Sequence, residues 1–213
     1  MSFDLDHLFI LTEPEAPQAE LLSSIGLLEG KPRCHPGQGT ANRRFVFKNG
    51  MLELLYICDR AEAIHGVGKP LRLLDRLQDK HASQFGIVVK SRPGALLDEV
   101  PCWDYQPPYL PAGQCFLIGN NSDVLEEPLC IIAPMLSPPI STQPKQVSSF
   151  WELTELNLSV PVVTASKPLS LLTECSLIKL HLSDHHLMEV VFNNRELGGS
   201  ADLRPHLPLI IHW

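Results

Sequence analysis

Glu53 stands in the run Met51-Leu52-Glu53-Leu54-Leu55-Tyr56, where an acid is out of keeping with its neighbours. Alternate residues of a strand share a face, so Glu53 belongs with Met51, Leu55 and Ile57. A carboxylate on such a face is costly unless it is paired or binds a metal, and an unpaired one can serve as a general base. The polar group Gln38, Asn42, Arg43 and Arg44 lies just before it in the chain. Arginine grips carboxylate or phosphate through two parallel hydrogen bonds, so this group is a candidate binding surface for an anionic or carbonyl-rich substrate. Alternation puts Asn42 and Arg44 on one face and Arg43 on the other. The competing explanation is a salt bridge from Glu53 to Arg43 or Arg44. His7, inside Leu5-Asp6-His7-Leu8-Phe9-Ile10, is either a ligand or a hydrogen-bonded histidine at a strand rim.

The elements that must position these groups follow from periodicity and turn chemistry. A first strand over 5–12 ends at Glu13-Pro14, and a helix over 16–25 closes at Gly26. A short strand over 29–34 leads into the loop His35-Pro36-Gly37-Gln38-Gly39, followed by two strands joined at Lys48-Asn49-Gly50. Asn-Gly between apolar runs is a hairpin signal because both residues tolerate positive φ. Helical spacing covers 59–80 with an interruption at 66–70. The order then repeats: a strand at Phe85 to Lys90, a short helix near 94–99, and strands at 115–118 and 129–133. Residues 101–111 form a proline-rich loop whose Trp103, Tyr105 and Tyr109 serve either as a lid or as a surface clasp. A Pro/Ser/Thr-rich linker over 137–148 precedes a partial third β-α-β-β unit. The fold class is therefore α+β: two modules, about 1–80 and 81–136, and a β-rich extension over 149–213.

Composition narrows the function classes. The net charge of -7 and the lack of a basic run argue against nucleic acid. Apolar runs are too short for a membrane-spanning helix, and the N-terminus lacks a signal peptide, so a cytoplasmic setting is expected. Six cysteines without a Cys-x-x-Cys pair fit reduced thiols better than a disulfide or zinc scaffold.

Three stretches, Leu5-Asp6-His7-Leu8-Phe9-Ile10, His35 to Asn42 and Leu52-Glu53-Leu54-Leu55, resemble the glyoxalase-like branch of the vicinal oxygen chelate (VOC) superfamily. The resemblance implies paired βαβββ modules forming a cupped mixed sheet with helices outside. It implies a divalent metal (Zn, Mn, Ni, Co or Fe) on His7, Glu53 and Glu127, with Glu126 as the rival to Glu127 and Glu53 as the catalytic group. The second module departs from the pattern, because Gly86 stands where a histidine ligand belongs, with Gln84 and His81 nearby. The ending Asp202-Leu203-Arg204-Pro205 resembles one subgroup of that branch. Arg204 either lines the same cavity or pairs with Asp202.

The resulting expectation is a small polar or anionic ligand in the cup. Metal-assisted lyase, isomerase or ring-opening chemistry stands beside a non-catalytic binding protein and a metal-free enzyme using Glu53 as base. The expected partners are a small molecule and no nucleic acid or membrane, in a monomer or homodimer.

Overall fold

In the computed structural model, residues 2–95, 97–134 and 148–213 are described. The segment expected to be a linker lies almost entirely outside them.

The first unit is β1 (Phe3–Leu11), α1 (Ala19–Ser24), β2 (Arg33–His35), β3 (Thr40–Phe47) and β4 (Gly50–Ile57). Two short helices follow, α2 (Arg60–His65) and α3 (Leu73–Gln78), with a 3-10 turn at Lys69–Leu71 in the expected interruption. The second unit is β5 (Phe85–Ser91), a 3-10 turn at Leu97–Glu99, β6 (Cys102–Tyr105), β7 (Phe116–Gly119) and β8 (Leu129–Ala133). Together they form one curled sheet of order β2-β3-β4-β1-β5-β8-β7-β6. The leading strands β1 and β5 meet antiparallel at its centre, and each lies parallel to the last strand of its own unit. This is the expected paired-module architecture. Trp103 and Tyr105 belong to the edge strand β6 rather than to a loop, because Cys102 to Tyr105 pair with Phe116 to Gly119.

The Lys48-Asn49 turn closes the hairpin, with Phe47 opposite Gly50. Neither Asn49 nor Gly50 is in the left-handed region that the sequence reading invoked. Asn49 is used differently: its side chain donates to Leu153 O (2.7 Å) and accepts from Leu153 N (3.0 Å), mimicking a strand backbone.

The C-terminal part is β9 (Leu153–Val160), α4 (Lys167–Leu172), β10 (Ile178–Leu182), β11 (Leu187–Phe192), β12 (Ser200–Asp202) and β13 (Leu209–His212). The β-α-β-β order is as expected, and the pairing adds to it. In the order β10-β9-β11-β13-β12, β9 is parallel to β10 and antiparallel to β11, which is parallel to β13. That repeats the β4-β1-β5-β8 centre of the large sheet, so the extension is a shortened copy of the paired arrangement.

Alternation along β1 divides the core. Leu8 and Ile10 face a cluster that includes Leu52, Leu54, Phe85 and Ile87 from the large sheet and Leu156, Leu158, Val190 and Ile211 from the small one. Phe9 and Leu11 face a second cluster with Leu55, Leu71, Leu73, Val88 and Ile118. The small sheet thus covers one face of the large sheet, and the other face lines a cavity.

Candidate functional site

The cavity has a volume of about 750 Å³ and is walled by both units. Its charged side chains all come from the first unit, which supplies Asp6, His7, Arg33, His35, Gln38, Arg44 and Glu53 beside the apolar Phe9, Met51 and Leu55, whereas β5, β7 and β8 supply only Val88, Phe116, Ile118, Leu129 and Ile131. Tyr109, Leu110, Pro111 and Gln114, from the loop between β6 and β7, complete the wall.

A β-bulge in β1 aims two polar side chains into the cavity. The pairing with β5 shifts register between Leu5 and His7, so Asp6 is an extra residue. Asp6 and His7 consequently both line the cavity, with His7 Nδ1 2.7 Å from Asp6 Oδ2. Lys90, from β5, ion-pairs with the other Asp6 oxygen. Burial opposes the Asp6 charge, but His7 and Lys90 outweigh it and hold the carboxyl at about 2. Burial likewise opposes charge on His7, and the Glu53 and Asp6 carboxylates overcome it, moving the imidazole upward.

The loop before β3 is fixed from behind. Glu62 of α2 accepts from the backbone N–H groups of Gly37 (2.8 Å) and Gly39 (3.1 Å). Gly39 has φ +74°, and a Cβ there would lie 2.3 Å from Asp59 O, so only glycine allows the loop to sit on α2. Gln38 is then held over the cavity by three side chains. Tyr105 and Tyr109 hydroxyls each donate to Gln38 Oε1 at 2.9 Å, and Gln38 Nε2 donates to Thr40 Oγ1 at 2.8 Å. Thr40 Oγ1 lies 3.0 Å from His35 Nδ1. The Thr40 hydroxyl can donate to that nitrogen or accept from it, according to the His35 tautomer. Burial lowers His35 to about 4, in keeping with a neutral ring. The Tyr109 ring also packs on His35, with centroids 5.1 Å apart, and lies under the Arg33 guanidinium at 5.6 Å.

Glu53 and Arg44 are opposite one another on β4 and β3, and both line the cavity. Glu53 is 7% exposed, and among the described residues its carboxylate has no hydrogen-bond donor. Arg44 donates its Nε to Lys31 O at 2.6 Å. Burial depresses Arg44, and Arg33 repels it while Glu53 attracts it.

The remaining sequence candidates lie elsewhere. Asn42 is fully buried beside the cavity wall, where its Oδ1 accepts from Arg33 N (2.9 Å) and its Nδ2 has no partner among the described residues. Arg43 faces the opposite side, paired with Glu29 (2.6 Å) and Glu20 (2.8 Å). Arg204 is paired with Asp202 at 2.5 Å on the small sheet, so the pairing alternative describes it. Glu127 is 1% exposed and does not line the cavity. Its oxygens accept from Asn121 Nδ2 (2.9 Å), Ser166 N (2.6 Å) and Ser166 Oγ (2.5 Å) at the start of α4.

These placements do not fit the metal set drawn from the resemblance. Only His7 and Glu53 share the cavity; Glu127 is spent on the packing of α4. Gly86 faces Phe9 across β1 and β5, and a Cβ on it would lie 1.9 Å from the Phe9 ring. The ring therefore fills the space a second histidine would need. Gln84 does not line the cavity, and His81 is exposed. Among the described residues, no group of three or more His, Cys, Asp or Glu is placed to hold a metal ion.

Sequence reasoning missed Asp6, Arg33 and His35 as site residues. The parity of β2 carried a signal, since Arg33 and His35 pair with Asn42 and Thr40, on the face of Arg44. The bulge that turns Asp6 inward had no such signal.

The cupped, curled sheet is consistent with a small-molecule-binding fold. A hypothetical protein from Staphylococcus aureus has a similar structure, with a TM-score of 0.59 and 10% identity over 99% of this chain and 98% of that one. A hypothetical protein from Bacillus halodurans C-125 matches 62% of this chain and 94% of its own, with a TM-score of 0.45 and 14% identity. At such identity the first likeness speaks for the fold alone. No known family matches the sequence, and no curated protein does. No helix among the described residues is long and apolar enough to cross a membrane.

Proposed function

We propose that this protein is a glyoxalase-like member of the VOC superfamily that binds a small organic molecule in the cup without a resident metal. The observation that carries the reading is a cavity whose charged side chains all come from the first unit and whose apolar wall comes from both. A pocket of this size and mixed lining suits a ligand with one polar end and an apolar body. Of the ligands implied by the resemblance only His7 and Glu53 share the cavity, and among the described residues no larger group could hold a metal, which supports the binding alternative. The test is elemental analysis and native mass spectrometry of untagged protein. The expected result is substoichiometric metal, a co-purifying small molecule, and ligand-dependent thermal stabilisation unchanged by a chelator. Stoichiometric metal lost in Glu53→Gln would overturn it.

A second reading, metal-independent proton transfer, rests on Glu53 itself. It is a buried carboxylate, in the cavity, with no donor to its oxygens among the described residues. Glu53 would take a proton from bound substrate while His7, held by Asp6, stabilises the charge that develops. Turnover that survives chelation and disappears in Glu53→Gln would support it; binding without turnover across a panel of carbonyl acids would remove it.

A further inference from the structure

The positive charges on the cavity wall point to a more specific ligand. Arg33 and Arg44 stand on the same face of adjacent strands, one diagonal step apart, since Arg33 pairs with Asn42 and Arg44 is two residues on. They repel each other. Among the described residues neither is in an ion pair, whereas Arg43, Arg72, Arg92 and Arg204 each hold a carboxylate. Arg33 is oriented by the Tyr109 ring, and Arg44 by the Lys31 carbonyl through Nε, while the terminal nitrogens of Arg44 have no partner among the described residues. Arg33 is an exposed residue of the wall and Arg44 a half-buried one, and an anion seated between them would pair both guanidinium groups.

Counting charges along the wall supports the same conclusion. Asp6 is neutralised by Lys90 and His7, so Glu53 alone offsets Arg33 and Arg44. With His7 counted as neutral, the wall and its Lys90 partner thus carry an excess of one positive charge in a protein whose net charge is -7.

Resting on the small-molecule reading above, we infer that the ligand is an amphipathic carboxylic acid. Its carboxylate lies between Arg33 and Arg44, and its apolar body extends against Val88, Phe116, Ile118, Leu129 and Ile131 beneath the Tyr109 loop. A carboxylate is favoured over a phosphate by Glu53, which lies opposite Arg44 and would repel a doubly charged head more strongly than a singly charged one.

The test is calorimetric titration of the full chain at pH 7 and low salt with four probes sharing one tail: octanoate, octanol, octylammonium and octyl phosphate. Octanoate is expected to bind saturably, at least tenfold more tightly than octanol or octylammonium and more tightly than octyl phosphate, and to weaken as salt is added. Arg44→Gln is expected to lower octanoate affinity at least tenfold while leaving octanol unchanged, and Glu53→Gln to raise octanoate affinity. A folding defect would weaken both variants, so opposite signs separate electrostatics from damage. Equal binding of octanoate and octanol would overturn the acid assignment and leave the cup reading standing. Tighter octyl phosphate would overturn the choice of carboxylate, and variants shifting in the same direction would overturn the role given to Arg44. Binding of none of the four would count against the cup itself.

Discussion

Single side chains decide what this cup can hold. Gly86 is the clearest case, because the Phe9 ring occupies the volume that any side chain there would need. Phe9 is itself buried among Leu11, Leu55 and Val88, so it cannot simply swing aside. Gly86→Ala should therefore destabilise the protein by about 1–3 kcal/mol, the usual range for overpacking. Thermal unfolding checks this, and Phe9→Leu in the same chain should recover part of the loss. His35 makes a second prediction at this scale. Its folded value, about 4, is below the unfolded 6.5, so the neutral ring stabilises the fold above pH 6.5 and that stability is lost as pH falls toward 4. A shift of that size corresponds to about 3 kcal/mol. His186 and His212, also lowered by burial, act in the same direction. His7 is raised, so its contribution is complete below 6.5 and adds no slope there. Urea unfolding of His35→Asn between pH 7 and pH 4.5 should show a shallower fall than the parent; an equal fall would remove His35 from the account. The sequence made Glu53 and Arg44 legible because parity along a strand is a local property. It hid Asp6, whose direction depends on a bulge defined by the distant partner strand β5.

Elements were more legible than the contacts between them. Helical spacing, Pro and Gly punctuation and the repeated strand order mark nearly every strand and helix of both units. What the sequence could not show is that acidic residues in similar local settings do unlike work. Glu127 stands before β8 as a candidate ligand by analogy, yet it is the junction of three elements. Its carbonyl accepts from Arg76 of α3 at 2.6 Å, while its carboxylate binds Asn121 in the turn after β7 and Ser166 at the start of α4. Arg76 is fully buried, and its guanidinium also donates to the carbonyls of Ser83, Leu125 and Ser122. Glu127→Ala would take the acceptor from the half-buried Ser166 N–H and hydroxyl and leave Asn121 Nδ2 only Pro128 O and Cys130 Sγ, at about 1–3 kcal/mol for a donor left unpaired. The expected outcome is a large drop in melting temperature with cavity binding intact in the cold. Loss of ligand affinity without loss of stability would instead assign Glu127 to the site. His7→Gln should behave in the opposite way, altering ligand binding more than stability.

At the scale of the whole molecule, the small sheet and the cup depend on each other. The face of the large sheet opposite the cavity is apolar throughout its centre, with Leu8, Ile10, Leu54, Phe85 and Ile87 buried against the C-terminal strands. Water would otherwise meet that face, and burial of each such side chain contributes roughly 1.5–3 kcal/mol. Polar ties at the rim set the register of the two sheets: Asn49 with Leu153, Lys48 with Glu152 at 2.8 Å, and Glu127 with Ser166. The cavity residues His7 and Glu53 alternate with Leu8, Leu52 and Leu54, so a strand that loses its packing on one face loses its geometry on the other. A chain ending at residue 134 should then fail to fold alone, with weak near-ultraviolet circular dichroism and binding of hydrophobic dyes. Co-expression with residues 148–213 as a separate chain should restore a soluble complex that unfolds in one transition, because the shared core, rather than the peptide connection, carries the stability. Should the shorter chain fold and bind ligand by itself, the small sheet would be an appendage, and the alternation that couples its packing to His7 and Glu53 would have no energetic consequence.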